Sequence, residues 1–294
     1  MPRLRLLSVT GLMIGGAALI AAQPPGGGPP PMRTHTIIQS DGKPDLAPAN
    51  RQPPGRSRVS ITERGEFRII STAGLPDHAV GQFPNRGNPN RIAAQRKTYR
   101  VPLNPTVSDR ATDARMAAFG VAINGVEFDP GAGEFYGEGG RQGMRGGRGG
   151  GPGFGRPPRG GRGGFGGQQQ GPSGFGPPGG GPGGQGGPGD GMWQYEALSG
   201  AVPLGLDENH AHVQPGGKYH YHGLPTGLLK NLGWKAGEHS PLIGWAADGF
   251  PIYAKTGYTN ADDASSPIQE LKSSYRLKKG RRPGGAGQPG GTYD

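Results

Sequence analysis

From Glu138 to Gly191 the chain is almost wholly glycine, proline, arginine and glutamine. No such stretch buries enough apolar surface to offset the entropy of ordering its backbone, about 1–2 kcal/mol per residue. Whatever folds must be built from what lies on either side. Glycine and proline supply 62 and 32 of the 294 residues without the strict Gly-X-Y period of collagen, so length overstates the core. Apolar residues gather before and after this stretch, enough for one domain of ordinary size. Neither flank looks self-sufficient, and loop closure costs only logarithmically with length. Residues 138–191 therefore read as a disordered Gly-rich insertion between two parts of one domain, 59–137 and 192–294.

The first 22 residues read as a secretory signal: Arg3 and Arg5, an apolar run from Leu6 to Ile20, and a small-residue exit at Ala21-Ala22. The run is shorter than the ~20 residues that span a bilayer and contains Gly11, Gly15 and Gly16. A secreted, periplasmic or cell-envelope location follows, with no membrane span in the mature chain. Gln23 to Arg58 is rich in Pro and Gly without apolar periodicity and reads as a disordered tether.

The remaining pattern predicts a mainly β fold with short helical segments. Glu66–Ser71 and Gln95–Leu103 read as strands, and Phe119–Phe128 as a hairpin around Asn124-Gly125. Leu224–Leu229 suggests a helical turn, and Ser240–Ala254 a hairpin with Asp248-Gly249 at its corner.

Four of the seven histidines fall between positions 210 and 222, in Asn209-His210-Ala211-His212 and Tyr219-His220-Tyr221-His222. Spacing of i, i+2 puts each pair on one face of a strand. A three-residue loop at Pro215–Gly217 pairs His212 with His220 and His210 with His222, so all four imidazoles share a patch while Ala211, Val213, Tyr219 and Tyr221 pack behind. That pattern suggests a metal site. Four β-face imidazoles need not all reach one ion, and three plus a carboxylate fit as well. Further candidates are His78, Asp207 and Asp248, although Asp-Gly is also preferred at a tight turn for its backbone alone. With no cysteine in the chain, ligands are nitrogen or oxygen, which favours zinc, copper, iron, nickel or manganese, with zinc or copper as the first candidates.

The net charge of +11 owes much to six arginines between Arg141 and Arg162 and to Lys278, Lys279, Arg281 and Arg282. An exported basic chain suits an anionic envelope polymer. The Arg-Gly repeats look like nucleic-acid-binding segments, but a signal peptide argues against that partner.

The blocks from Asn209 to Pro215 and from Tyr219 to Pro225 resemble the YHYH domain family, named for that tetrapeptide. Trp245–Tyr253, Gly74–His78, Asn88-Pro89-Asn90 and Gly125–Pro130 are similar to its other blocks. The resemblance implies an exported domain of largely unassigned biochemical role, so it supplies no reaction. The insertion is not part of that pattern, and a further Tyr-His-Tyr-like strand is expected beyond Asp294, as if the chain were truncated. Two readings stand: an exported metal-binding β domain, with or without catalysis, and a non-catalytic envelope-binding module with no metal.

Overall fold

A computed structural model describes residues 35–36, 43–109, 118–134, 136, 193–273, 276, 278–282, 284 and 289–293. The expected signal and the 138–191 insertion lie outside these residues. The described residues are mainly β, with one short α-helix.

A short strand β1 (His35–Thr36) precedes a three-stranded meander of β2 (Val59–Arg64), β3 (Phe67–Thr72) and β4 (Lys97–Pro102), antiparallel throughout. The central sheet is built from β5 (Gly120–Ala122), β6 (Glu127–Phe128), β8 (Ala211–Val213), β9 (Tyr219–Tyr221), β10 (Leu242–Ala246) and β11 (Pro251–Tyr253). Its spatial order is β11-β10-β5-β6-β9-β8. Strand β7 (Gln194–Tyr195) pairs with β1, and β12 (Thr256–Tyr258) with β13 (Ile268–Glu270). Helix α1 (Thr226–Asn231) buries Leu228 and Leu229.

The Asn124-Gly125 signal makes the β5–β6 hairpin: Gly125 has φ 79 and its N–H donates to the Ala122 carbonyl at 2.8 Å. A Cβ there would stand 2.0 Å from Thr72 Oγ1, so both the turn and the packing require glycine. Behind the central sheet, Ala122, Phe128, Ala211, Val213, Tyr219, Tyr221, Leu228 and Ile243 form the main core. Burial of each large side chain in it contributes about 1.5–3 kcal/mol. On the opposite face, Val121 packs with Ile70, Tyr99 and Val101, which seats the β2–β3–β4 meander against one end of the sheet.

The one parallel pairing in the sheet, β6 with β9, aligns Glu127 with His220 and Phe128 with Tyr221. The residues flanking the insertion pair with each other: Tyr136 N–H donates to the Trp193 carbonyl (2.8 Å), and Tyr195 N–H to that of Glu134 (3.0 Å). Residues 43–58, expected to be tether, differ from that expectation. Ala47 N–H donates to Leu206 and Arg51 exchanges two backbone hydrogen bonds with Val80, so backbone pairing holds this Pro-rich stretch on the domain without apolar periodicity.

Candidate metal centre

The hairpin that carries the histidines closes through Gly216 and Gly217, both with φ 89. Gln214 N–H donates to the Lys218 carbonyl, and the register pairs Ala211 with Tyr221, His212 with His220 and Val213 with Tyr219. Strand alternation then sorts the side chains. Ala211, Val213, Tyr219 and Tyr221 enter the core, and His212, His220 and His222 emerge on the other face.

These three rings form a near-equilateral triangle, with centroids 4.7, 4.6 and 4.6 Å apart. One ligand atom from each lies within 4.8 Å of the other two, and Nε2 of His220 stands 3.0 Å from Nε2 of His222. Two nitrogens on one tetrahedral ion at ~2.0–2.1 Å are separated by ~3.3–3.4 Å, so the cluster is of the right size to hold one. His220 and His222 are buried and His212 is half-buried, so the triangle is reached from the His212 side.

The Nδ1 atoms decide what the Nε2 atoms offer. His212 Nδ1 is 3.0 Å from the Leu204 carbonyl and His220 Nδ1 is 3.3 Å from that of Lys218. A carbonyl only accepts, so each Nδ1 carries the hydrogen and each Nε2 presents a lone pair. His222 Nδ1 makes no hydrogen bond, yet the Pro130 carbonyl lies near enough to favour a hydrogen on that ring. One ring nitrogen from each of the three thus gathers within 4.8 Å of the others, with His212 and His220 held by backbone carbonyls of the kind that commonly orient ligating imidazoles.

Burial keeps the rings neutral. It drives His220 well below the ordinary histidine range, assisted by the charges of His222, His212 and Lys218. His222 is lowered to about 3 by burial and then by His212. His212 is lowered by burial too, offset in part by the Leu204 carbonyl and by Asp129 and Asp207. Neutral imidazoles coordinate without first losing a proton.

The fourth histidine stands apart. His210 continues the backbone ladder, its carbonyl accepting from His222 N–H at 2.7 Å, but its φ of 53 lies in the left-handed region. That conformation interrupts the alternation, and its Nδ1 is held by the Leu224 carbonyl at 2.8 Å. The expected patch of four is thus a triad.

The other candidates sit elsewhere. His78 is buried on the tyrosine side, Nδ1 donating to the Ala79 carbonyl (2.8 Å) and Nε2 accepting from the Tyr221 hydroxyl (2.6 Å). Asp207 is fully buried and accepts from Gly81 N–H, Asn209 N–H and the Tyr219 hydroxyl. Asp248 is exposed at the β10–β11 corner, where its side chain accepts from Phe250 N–H.

Two acids missed by sequence reasoning lie beside the triad on β6 and its continuation. Glu127 binds Lys97 Nζ (2.5 Å), Lys218 Nζ (2.6 Å) and the Tyr99 hydroxyl (2.6 Å). Asp129 Oδ2 accepts from Gln214 Nε2 (3.0 Å) and lies 3.4 Å from Lys218 Nζ. Alternation from the Asn124-Gly125 turn would have placed both acids on one face. Their placement beside the histidines needed the non-local β6–β9 pairing.

The family model described as YHYH protein matches residues 98–294. No curated protein and no solved structure matches the chain.

Proposed function

The chain belongs to the YHYH protein family, and on that footing we propose that it is an exported protein binding one divalent transition ion through His212, His220 and His222. The observation that carries this reading is the gathering of one ring nitrogen from each of His212, His220 and His222 within 4.8 Å of one another. Without an ion, the 3.0 Å contact between His220 and His222 sets two lone pairs against each other, because the Lys218 carbonyl claims the hydrogen of His220 at Nδ1. Shifting a hydrogen onto Nε2 of His222 would relieve that contact, but would leave its buried Nδ1 as a lone pair with no donor. A cation at the centre of the triangle would turn the opposed lone pairs into ligands.

All-nitrogen neutral donors favour zinc or copper. Three protein ligands leave room for a further ligand on the half-exposed His212 side, the arrangement catalytic zinc sites use. Residues 59–137 and 192–294 are proposed to form one domain around the 138–191 insertion, supported by the β6–β9 pairing and the hydrogen bonds that join the flanks. Among the described residues no helix is long and apolar enough to cross a membrane. Export is proposed from the Arg3–Ala22 pattern.

The test is elemental analysis of protein purified without a histidine tag and equilibrated with zinc and copper in turn. About one equivalent per chain is expected, absent from the His212→Ala, His220→Ala double variant. Substoichiometric metal in the wild type, or metal unchanged in the variant, would overturn the proposal and favour an envelope-binding module without metal.

A further inference from the structure

On the tyrosine side of the histidine hairpin, away from the triad, a cleft of about 360 Å³ opens between residues 51–54, 80–83 and 91–92. Its floor is apolar. Val80 is 2 % exposed, and Phe83 and Ile92 pack against the same core as the tyrosines, Phe83 meeting Tyr219 edge-on with centroids 6.1 Å apart. A floor tied into the core in this way is preformed. Arg51, Arg91 and Gln82 line the same cleft. The two backbone hydrogen bonds between Arg51 and Val80 fix where the first arginine springs from.

Among the described residues no carboxylate lines this cleft, and neither guanidinium takes part in an ion pair. Two cationic side chains thus border an apolar floor that carries no counter-charge of its own, which a bound anion would supply. Planar guanidinium forks match a carboxylate better than a point charge does, and the Gln82 amide adds a neutral donor. Apolar floors with a few convergent polar groups are the usual form of small-molecule sites, and this volume is at their lower end.

We propose that this cleft binds a small carboxylate carrying an apolar ring, the ring lying on Phe83, Val80 and Ile92 and the carboxylate between Arg51 and Arg91. The site is independent of the metal centre, so chelation leaves it intact.

The experiment is calorimetric titration of the full chain with phenylacetate, with its neutral amide phenylacetamide, and with acetate. Phenylacetate is expected to bind with a Kd between about 10 μM and 1 mM. The amide, lacking charge, and acetate, lacking the ring, are each expected to bind about tenfold more weakly or worse. The Arg51→Gln, Arg91→Gln double variant should lose phenylacetate binding by a similar factor while its unfolding midpoint stays unchanged, because both side chains are exposed and unpaired. Equal binding of phenylacetate and its amide, no heat up to about 10 mM phenylacetate, or wild-type affinity in the double variant would each overturn the proposal. The comparison of acid and amide needs no variant, so a folding defect in the variant does not shelter it.

Discussion

Replacing Glu127 by glutamine tests the polar face beside the triad at its most heavily connected point. The carboxylate is 6 % exposed and takes three short contacts, from Lys97, Lys218 and the Tyr99 hydroxyl. Its partners' side chains are 26 % and 19 % exposed, so little water screens the pairs. Burial pushes the Glu127 carboxyl up, but the Lys218 charge and the hydrogen bonds from Lys218, Lys97 and Tyr99 more than offset it and hold the group below the usual carboxylate range. Glutamine keeps an oxygen for Tyr99 and one lysine but sets an N–H₂ against the other. It also removes the carboxylate that the two ammonium groups share, leaving Lys97 without this counter-charge; like charges about 6 Å apart repel by ~2–3 kcal/mol at an effective dielectric of ~20. Lys218 can turn further toward Asp129, already 3.4 Å away, which recovers part of that. A loss of about 2–4 kcal/mol at neutral pH is expected, near the lower end of what breaking a buried pair costs.

The assay is urea unfolding followed by tryptophan fluorescence across pH. Glu127 has a depressed folded pKa, so its contribution is fully present above the unfolded value of about 4.3 and is lost as pH falls through the folded one. The gap between wild type and Glu127→Gln should therefore be constant from about pH 6 to 8 and shrink only below about pH 4. A gap under about 1 kcal/mol at pH 7, or one that holds its full size down to about pH 3, would refute the reasoning.

Three further outcomes are expected. Tyr221→Phe leaves buried His78 Nε2 without its donor and Asn124 with one acceptor fewer, and should cost about 1–3 kcal/mol by urea unfolding. Gly125→Ala combines left-handed backbone with a Cβ 2.0 Å from Thr72 Oγ1 and should exceed about 3 kcal/mol, whereas Gly216→Ala, with φ 89 and nothing within 4 Å, should cost only about 1–2 kcal/mol in the same experiment. If the triad holds its ion about a thousandfold below the free concentration, chelation should remove about 4 kcal/mol of stability, and His212→Ala should abolish that response in a thermal melt.

Where the backbone itself carried the signal, the sequence was readable. Asn124-Gly125 and Asp248-Gly249 each mark a hairpin corner, and Pro215-Gly216-Gly217 sets the register that pairs His212 with His220. Period-two alternation then put the tyrosines in the core, where their hydroxyls are satisfied by His78, Asn124, Asp207 and Asn209. The ordered stretch at 43–58 was invisible because main-chain bonds to Leu206 and Val80 tie it down, and main-chain bonds leave no side-chain pattern.

The same limit explains why four histidines became three. Alternation assumes extended dihedrals at every position, and His210 breaks the assumption with a φ of 53. Three of the four Nδ1 atoms are held by carbonyls outside their own strand pair or at its turn: Leu224 for His210, Leu204 for His212 and Lys218 for His220, whereas His222 Nδ1 makes no hydrogen bond. In the triad these carbonyls hold the rings of His212 and His220, whereas for His210 the carbonyl belongs to the segment leading into helix α1 and holds the ring apart from the other three. The orientation of those two triad rings therefore rests on the carbonyls at positions 204 and 218, which any side chain at those positions would supply. A Lys218→Ala variant should keep the triangle intact while losing the Glu127 contact. Loss of metal in Lys218→Ala equal to that in His220→Ala, with folding retained, would show that charge and not carbonyl orientation governs the site.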